Sequence, residues 1–339
     1  MSQSTAPRKR LTLDEVHQLS MDALMANGAD RENAEATTHF MWSAERDSCH
    51  SHGLFRLPGY VASLKSGKVN GKSRPTVTDL APAAIRVDGD NGFAPMALEV
   101  GREPLASRAR ETGIAALAIT NTYHFSALWV ETAALAEMGL VSIAMTSAKP
   151  MVAPAGGTKP LFGTNPLSFA WPRKGREPVV FDMATAAMAR GEIMVAAREG
   201  HEVHDGAGID ENGNPTTDPE AILKGAQLAF GGTKGALFAL MVELMAGPMV
   251  GGPFSVEQKE IDNADGGPAG GAEFLIVIDP VVMSGNAGAL DHAEKLFDEI
   301  LAQEGTRLPA DRRYKVRPEN EKSGIEIPLS LYDTIKSLT

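Results

Sequence analysis

The chain has a single cysteine, Cys49, among its 339 residues. An intrachain disulfide and any cysteine-rich zinc site are therefore excluded, and a reducing compartment fits. Positive charge is not in surplus: 32 Lys and Arg stand against 43 Asp and Glu, for a formal net charge of −11. Phosphate neutralisation needs a basic face, so nucleic acid is not an expected partner, and a small anionic ligand needs a local cationic pocket. No run reaches the roughly 18 apolar residues of a membrane helix. The polar, basic residues 1–10 lack the apolar core of a secretory signal and read as a disordered lead-in, with cytoplasmic residence as the default and no membrane partner.

Several motifs are missing as well. There is no Gly-x-Gly-x-x-Gly fingerprint, so a dinucleotide cannot be argued from a Rossmann turn. Gly71-Lys72-Ser73 resembles the end of a P-loop, but Ser66 stands where its first glycine belongs and no clear apolar strand precedes it. His201-Glu202-Val203-His204 falls one residue short of the zinc-protease spacing and sits among loop residues. His50 and His52 have no third ligand at a suitable spacing. No required metal is expected.

What remains is an ordinary globular composition, 43% apolar and 22% charged, long enough for two lobes. Residues 11–75 read as a helical lobe. Thr12 and Glu15 make a capping-box pattern before a helix that ends at Asn27-Gly28, Asp30 can cap a second helix to about residue 44, and a short third spans 56–64. Residues 65–75 are rich in turn formers and serve as a linker.

Residues 76–284 then alternate between strand signals (85–87, 114–119, 141–145) and helix signals (93–110, 126–138), the pattern of an α/β lobe. Further strands are expected at 167–170, 179–181 and 274–278. A helix over 235–245 carries Met241 and Met245 as core filler. Glycine clusters at 251–252 and 266–271 flank what reads as a mobile surface loop. In 285–339, expected to rejoin the helical lobe, a helix spans 291–303 and the alternation of Ile325, Ile327, Leu329 and Leu331 suggests a last strand.

The densest chemistry lies between Arg46 and Tyr60. His52 can exchange a proton near neutral pH, Arg56 can hold a carboxylate through two parallel hydrogen bonds, and Gly53 lets another group approach the backbone. Taken alone, His50 and His52 read more readily as ordinary histidines with local hydrogen bonds. His124 lies between a strand and a helix, where it is either an exposed site residue or a cap for the helix at Ser126. Residues 160–166 form a stiff polar loop able to grip a phosphate or ribose, or simply a turn. Asp182-Met183-Ala184-Thr185 follows a strand, and residues 230–235 open a helix whose N-terminus attracts anions, with Lys234 adding a point charge.

Ser51-His52-Gly53 with Arg56, His124, Gly163-Thr164-Asn165-Pro166, Asp182-Met183-Ala184-Thr185 and Gly232-Thr233-Lys234-Gly235 occur in one order. Together they resemble the malate/L-lactate dehydrogenase family, which is unrelated to the Rossmann-fold dehydrogenases, over about residues 13–327. Within it, residues 46–60, 124–129 and 312–314 are most similar to cyclic imino acid reductases acting on piperideine-2-carboxylate and pyrroline-2-carboxylate. Tyr123 departs from that pattern, standing where related reductases often carry a second histidine.

The resemblance implies a non-Rossmann α/β fold with a helical N-terminal lobe and a mixed-sheet cofactor-binding lobe, a homodimer, and NADPH or NADH as cofactor. It makes His52 the proton donor, with Ser51 and Arg56 in the same pocket and His124 near the substrate or nicotinamide. Cofactor contacts fall to Thr164, Asn165, Asp182, Met183, Ala184 and Lys234, and to Ala310, Asp311 and Arg312 in the turn 310–312. Two alternatives stay open: reduction of a 2-keto acid, and a ligand-binding protein without turnover.

Overall fold

The computed structural model describes residues 7–124 and 126–339. Strand β1 (Arg8–Leu11) leads into helix α1 (Leu13–Ala26), which starts at Thr12 as a reciprocal capping box: Glu15 N–H donates to the Thr12 hydroxyl and Thr12 N–H to the Glu15 carboxylate. Val16, Leu19, Ala23 and Leu24 form its buried stripe. Helix α2 (Arg31–Arg46) starts at Asp30, whose carboxylate accepts from Asn33 N–H. Two single 3₁₀ turns, His50–His52 and Leu54–Arg56, then lead into α3 (Leu57–Lys65).

The α/β region supplies a seven-stranded sheet. Strands β2 (Thr76–Ala81) and β3 (Ala84–Phe93) form a hairpin; α4 (Ala94–Thr112) crosses over to β4 (Ile114–His124), which runs parallel to β3. Helix α5 (Trp129–Glu137) is followed by β5 (Val141–Thr146), β6 (Leu167–Trp171) and β7 (Val179–Met183). An excursion of α6 (Arg190–Glu199), β8 (Gly208–Ile209), β9 (Pro215–Thr216), α7 (Pro219–Lys224) and β10 (Ala226–Gln227) precedes α8 (Thr233–Ala246), α9 (Ser255–Ile261) and β11 (Ala269–Ile278). Strand β11 inserts between β4 and β5, giving the order β2-β3-β4-β11-β5-β6-β7, in which β3–β4 is the parallel pair. This mixed sheet has no Rossmann crossover series and needs no glycine fingerprint.

Both faces of the sheet centre are covered, and the two-residue period of a strand decides which residue faces which. On β11, Leu275 and Val277 join the core under α4 and α5, whereas Phe274 and Ala272 join the core under α8. Met241 and Met245 pack against that second core, as expected of filler. Glu273 shares parity with Leu275 and Val277, so an acid is delivered to the α5 side.

The chain closes with α10 (Pro280–Ser284), α11 (Ala289–Leu301), α12 (Asp311–Ser323), β12 (Ile325–Pro328) and α13 (Leu329–Lys336). Three expectations need correction here. Residues 8–10 are not part of a disordered lead-in: β1 pairs antiparallel with β12, Arg8 opposite Pro328 and Leu11 opposite Ile325, and residues 1–6 lie outside the described ones. The tail alternates only as far as Ile327, because Pro328 ends the strand and Leu329 and Leu331 belong to α13. The segment between the glycine clusters is not a bare loop, since it holds α9 with Ser255 and Gln258 buried. The last segment also divides its contacts: Ile325, Ile327 and Ile335 join the core of α1–α3, while Phe297 of α11 and Leu308 pack on Val179 at the far sheet edge.

Candidate active site

The Ser-His-Gly stretch is built on Glu45, the penultimate residue of α2. Its buried carboxylate accepts from Leu54 N–H at 2.8 Å and lies 2.5 Å from His50 Nδ1. Gly53 passes directly over it: a Cβ there would sit 2.1 Å from Glu45 Oε1, so a larger residue fits only if the carboxylate is displaced. Buried Asp47 receives Arg317 Nε at 2.6 Å and Nη2 at 2.8 Å, a bidentate pair that ties the same stretch to α12.

Held this way, three expected residues cluster. Ser51 Oγ lies 3.0 Å from His52 Nδ1, and Arg56 Nε donates to Ser51 O at 2.7 Å. His52 feels the charges of Arg56 and His124; burial first, then those two neighbours, lowers its pKa to about 4, so the ring is neutral at pH 7. Burial also lowers the pKa of Arg56.

His124 is not a helix cap. It is the last residue of β4, a strand longer than its sequence pattern suggests because it pairs with β3 and β11 on either side. Asp182, near the end of β7, accepts from Trp129 N–H at 3.1 Å at the start of α5, and it feels His124 and Arg313. Burial raises its pKa to about 6 despite those favourable partners. Arg313 stacks on Trp129 at 4.6 Å and donates to Val180 O at 3.1 Å. Cys49 is half-buried and its thiol pKa is raised, chiefly by desolvation, which leaves it a poor nucleophile.

The residues expected to contact a cofactor fall into two groups. Thr164, Asp182, Met183 and Ala184 lie near the β7 end, where Thr185 N–H and Oγ1 donate to Thr164 O and Phe230 N–H donates to Thr185 O. That second bond joins them to the exposed Lys234 in the first turn of α8. Between them lies a cavity of about 150 Å³ with an apolar lining that includes Leu167, Phe181, Met183, Phe230 and Phe238. Ala310, in the left-handed region at φ 72°, Asp311 and Arg312 form the second group, opening α12.

Asn165 corrects the expectation for its side chain. It is fully buried, and its amide donates to Ala239 O at 3.0 Å and Glu243 Oε1 at 2.9 Å, so both donors brace the loop against α8 and neither is left for a cofactor. An apolar slot beside a helix N-terminus carrying a lysine nevertheless suits a group with a flat ring and phosphates.

Sequence reasoning missed Glu45, Glu131 and Glu273. Each had a signal: a carboxylate placed in an apolar helix face or an apolar strand must find a partner when buried.

A profile of the malate/L-lactate dehydrogenase family matches residues 11–336. The chain belongs to this family. Its members are nicotinamide-dependent dehydrogenases and reductases, so the protein is an oxidoreductase. Among its relatives, the chain is 47% identical to a Delta(1)-pyrroline-2-carboxylate reductase of Ancylobacter novellus, with 97% of each chain covered. It is 46% identical to a Delta(1)-pyrroline-2-carboxylate/Delta(1)-piperideine-2-carboxylate reductase of Pseudomonas aeruginosa, covering 97% of this chain and 99% of that one. In structure it matches a delta1-piperideine-2-carboxylate reductase from Pseudomonas syringae with a TM-score of 0.93 and 41% identity, covering 98% of this chain and all of the other.

Proposed function

We propose that this family member reduces cyclic imino acids, pyrroline-2-carboxylate and piperideine-2-carboxylate, with NADPH or NADH. The observation that carries the reading is a guanidinium and a neutral histidine held in two consecutive turns, Arg56 and His52, with His52 near enough to His124 to feel its charge. The relatives' substrates fit that pair. When bound, the nicotinamide supplies the hydride.

This chain's own residues do the rest. Arg56 clamps the carboxylate and so fixes the imine carbon and nitrogen. Ser51 engages His52 Nδ1, which leaves Nε2 to meet the imine nitrogen. A bound carboxylate also offsets the charge of Arg56, which adds to burial in keeping His52 deprotonated, so substrate binding itself makes His52 a better proton carrier. Met183, Ala184, Thr164 and Lys234 would hold the cofactor along the apolar slot and the start of α8, with Ala310, Asp311 and Arg312 beside it.

A homodimer is part of the proposal. Leu237, Phe238, Leu240 and Leu244 of α8 are all exposed, an apolar face suited to a second copy. Light scattering at twice the chain mass is the expected result, and a monomer at working concentrations would contradict it.

Loss of nicotinamide absorbance tests the reaction. Turnover of the two cyclic imines should exceed that of pyruvate and oxaloacetate by at least about a hundredfold in kcat/KM, as expected when a site's polar groups are matched to one substrate. Preference for the keto acids would move the function to a 2-hydroxy acid dehydrogenase, and no oxidation with any of them would leave a ligand-binding protein.

A further inference from the structure

Beneath the active site, His124, Glu131 and Glu273 converge from β4, α5 and β11. One nitrogen or oxygen of each lies within 4.8 Å of the other two, and His124 Nε2 is 3.3 Å from Glu273 Oε2. Both carboxyl groups are buried, and among the described residues none of their four oxygens receives a conventional hydrogen bond. That state is costly for two carboxylates, since ionised carboxyls only accept and two negative charges side by side repel in a low dielectric. A single proton resolves both problems: one acid becomes a donor to the other, and one negative charge remains for His124.

We propose that Glu131 and Glu273 share one proton beneath His124 and act together as positioning residues for its ring. The placement decides which acid keeps the proton. Burial, and then the negative charge of Glu273, holds the pKa of Glu131 well above the usual carboxylate range. Burial alone would push Glu273 up, but a proton carried by Glu131 and directed at it, together with the nearness of His124, holds it below. Glu131 is therefore the acid and Glu273 the carboxylate. Asp182 adds negative charge that reinforces protonation of Glu131, and Arg102 opposes it. With Nε2 turned toward Glu273, His124 has only Nδ1 left to offer the active site.

A metal ion is the competing occupant of three such groups, and the surroundings disfavour it. The cavity next to Glu131 is about 10 Å³ and is lined by Leu98, Leu105, Leu117, Leu135 and Leu275 besides Arg102, leaving no room for the waters that three protein ligands would need as company.

The shared proton stands whichever substrate is reduced; only its kinetic consequence rests on the site proposed above. Infrared spectroscopy of the intact protein should show one protonated buried carboxyl at pH 7 that disappears in Glu131→Gln. Because a glutamine amide donates to Glu273 as the acid does, Glu131→Gln should keep kcat/KM within about threefold, whereas Glu131→Ala should lose at least about tenfold. Glu273→Gln should move the ring-nitrogen NMR shifts of His124, and Glu131→Gln should not. Zn²⁺ or Mg²⁺ added alone should leave the infrared band in place. Absence of that band in the wild type, its displacement by either metal, or equal losses in the glutamine and alanine variants would overturn the proposal, and the wild-type spectrum does not depend on activity.

Discussion

Two buried carboxylate neighbourhoods flank the site, and they solve the same problem in opposite ways. Glu45 is satisfied by protein donors from its own stretch of chain, His50 and Leu54 N–H. Glu131 and Glu273 come from elements 142 positions apart and have each other and His124. A carboxylate fixed by several donors makes a rigid anchor that fails when any part is removed. A proton-sharing pair depends on one hydrogen, and an amide can replace it. The Ser51–Arg56 turn should therefore be intolerant of change, and the floor under His124 selectively tolerant.

The largest break in that contrast is Gly53→Ala. The new Cβ displaces the Glu45 carboxylate from Leu54 N–H and His50, so unfolding free energy should fall by about 3–5 kcal/mol, as for other broken buried charge contacts. Turnover should fall with it. Urea denaturation and a steady-state assay check both, and a protein of normal stability would show that the turn is not anchored through Glu45.

Next comes Arg56→Ala. Loss of a charged, bidentate-capable donor should raise KM for the imine by about tenfold to a hundredfold, equivalent to the 1.5–3 kcal/mol of charged hydrogen bonds. It should also raise the pKa of His52, since the guanidinium is one of the groups lowering it. An unchanged KM would remove Arg56 from carboxylate binding.

The third break is in pH dependence. His52, with a folded pKa of about 4, binds its proton more weakly folded than unfolded, so its contribution to stability is lost as pH falls from about 6.5 to 4. Asp182, raised to about 6, has the opposite sign: the folded state holds the proton that the unfolded state releases, so acidification from 6 to about 4 relieves a cost. The two offset each other in that window. Asp182→Asn should leave the His52 dependence exposed, adding a slope of about 1.4 kcal/mol per pH unit between pH 4 and 6. Denaturation midpoints that respond to acid identically in both proteins would contradict the assignments.

Legibility in the sequence follows sequence distance. The Thr12–Glu15 capping box, the Asp30 cap and the Ser51–Arg56 cluster were readable because all their partners lie within a turn or two of chain. Strand β2 was not, since all six of its residues are exposed and carry no alternation. Strand β1 was hidden for another reason: its partner β12 lies more than 300 positions away. Residue types drew attention to Asp182 and His124, but only the insertion of β11 between β4 and β5 sets Glu273 beside His124, and no local pattern announces that. Asn165 shows the reverse error, a residue noticed correctly whose side chain serves the scaffold.

The most direct test of the account is single-turnover oxidation of the reduced nicotinamide by pyrroline-2-carboxylate in wild type and His52→Ala, with substrate affinity measured alongside. If His52 carries the proton while Arg56 holds the carboxylate, the chemical step should slow by about 10²–10⁴-fold with affinity nearly unchanged. A His52→Ala protein that turns over at close to the wild-type rate would contradict the placement of the chemistry in this turn.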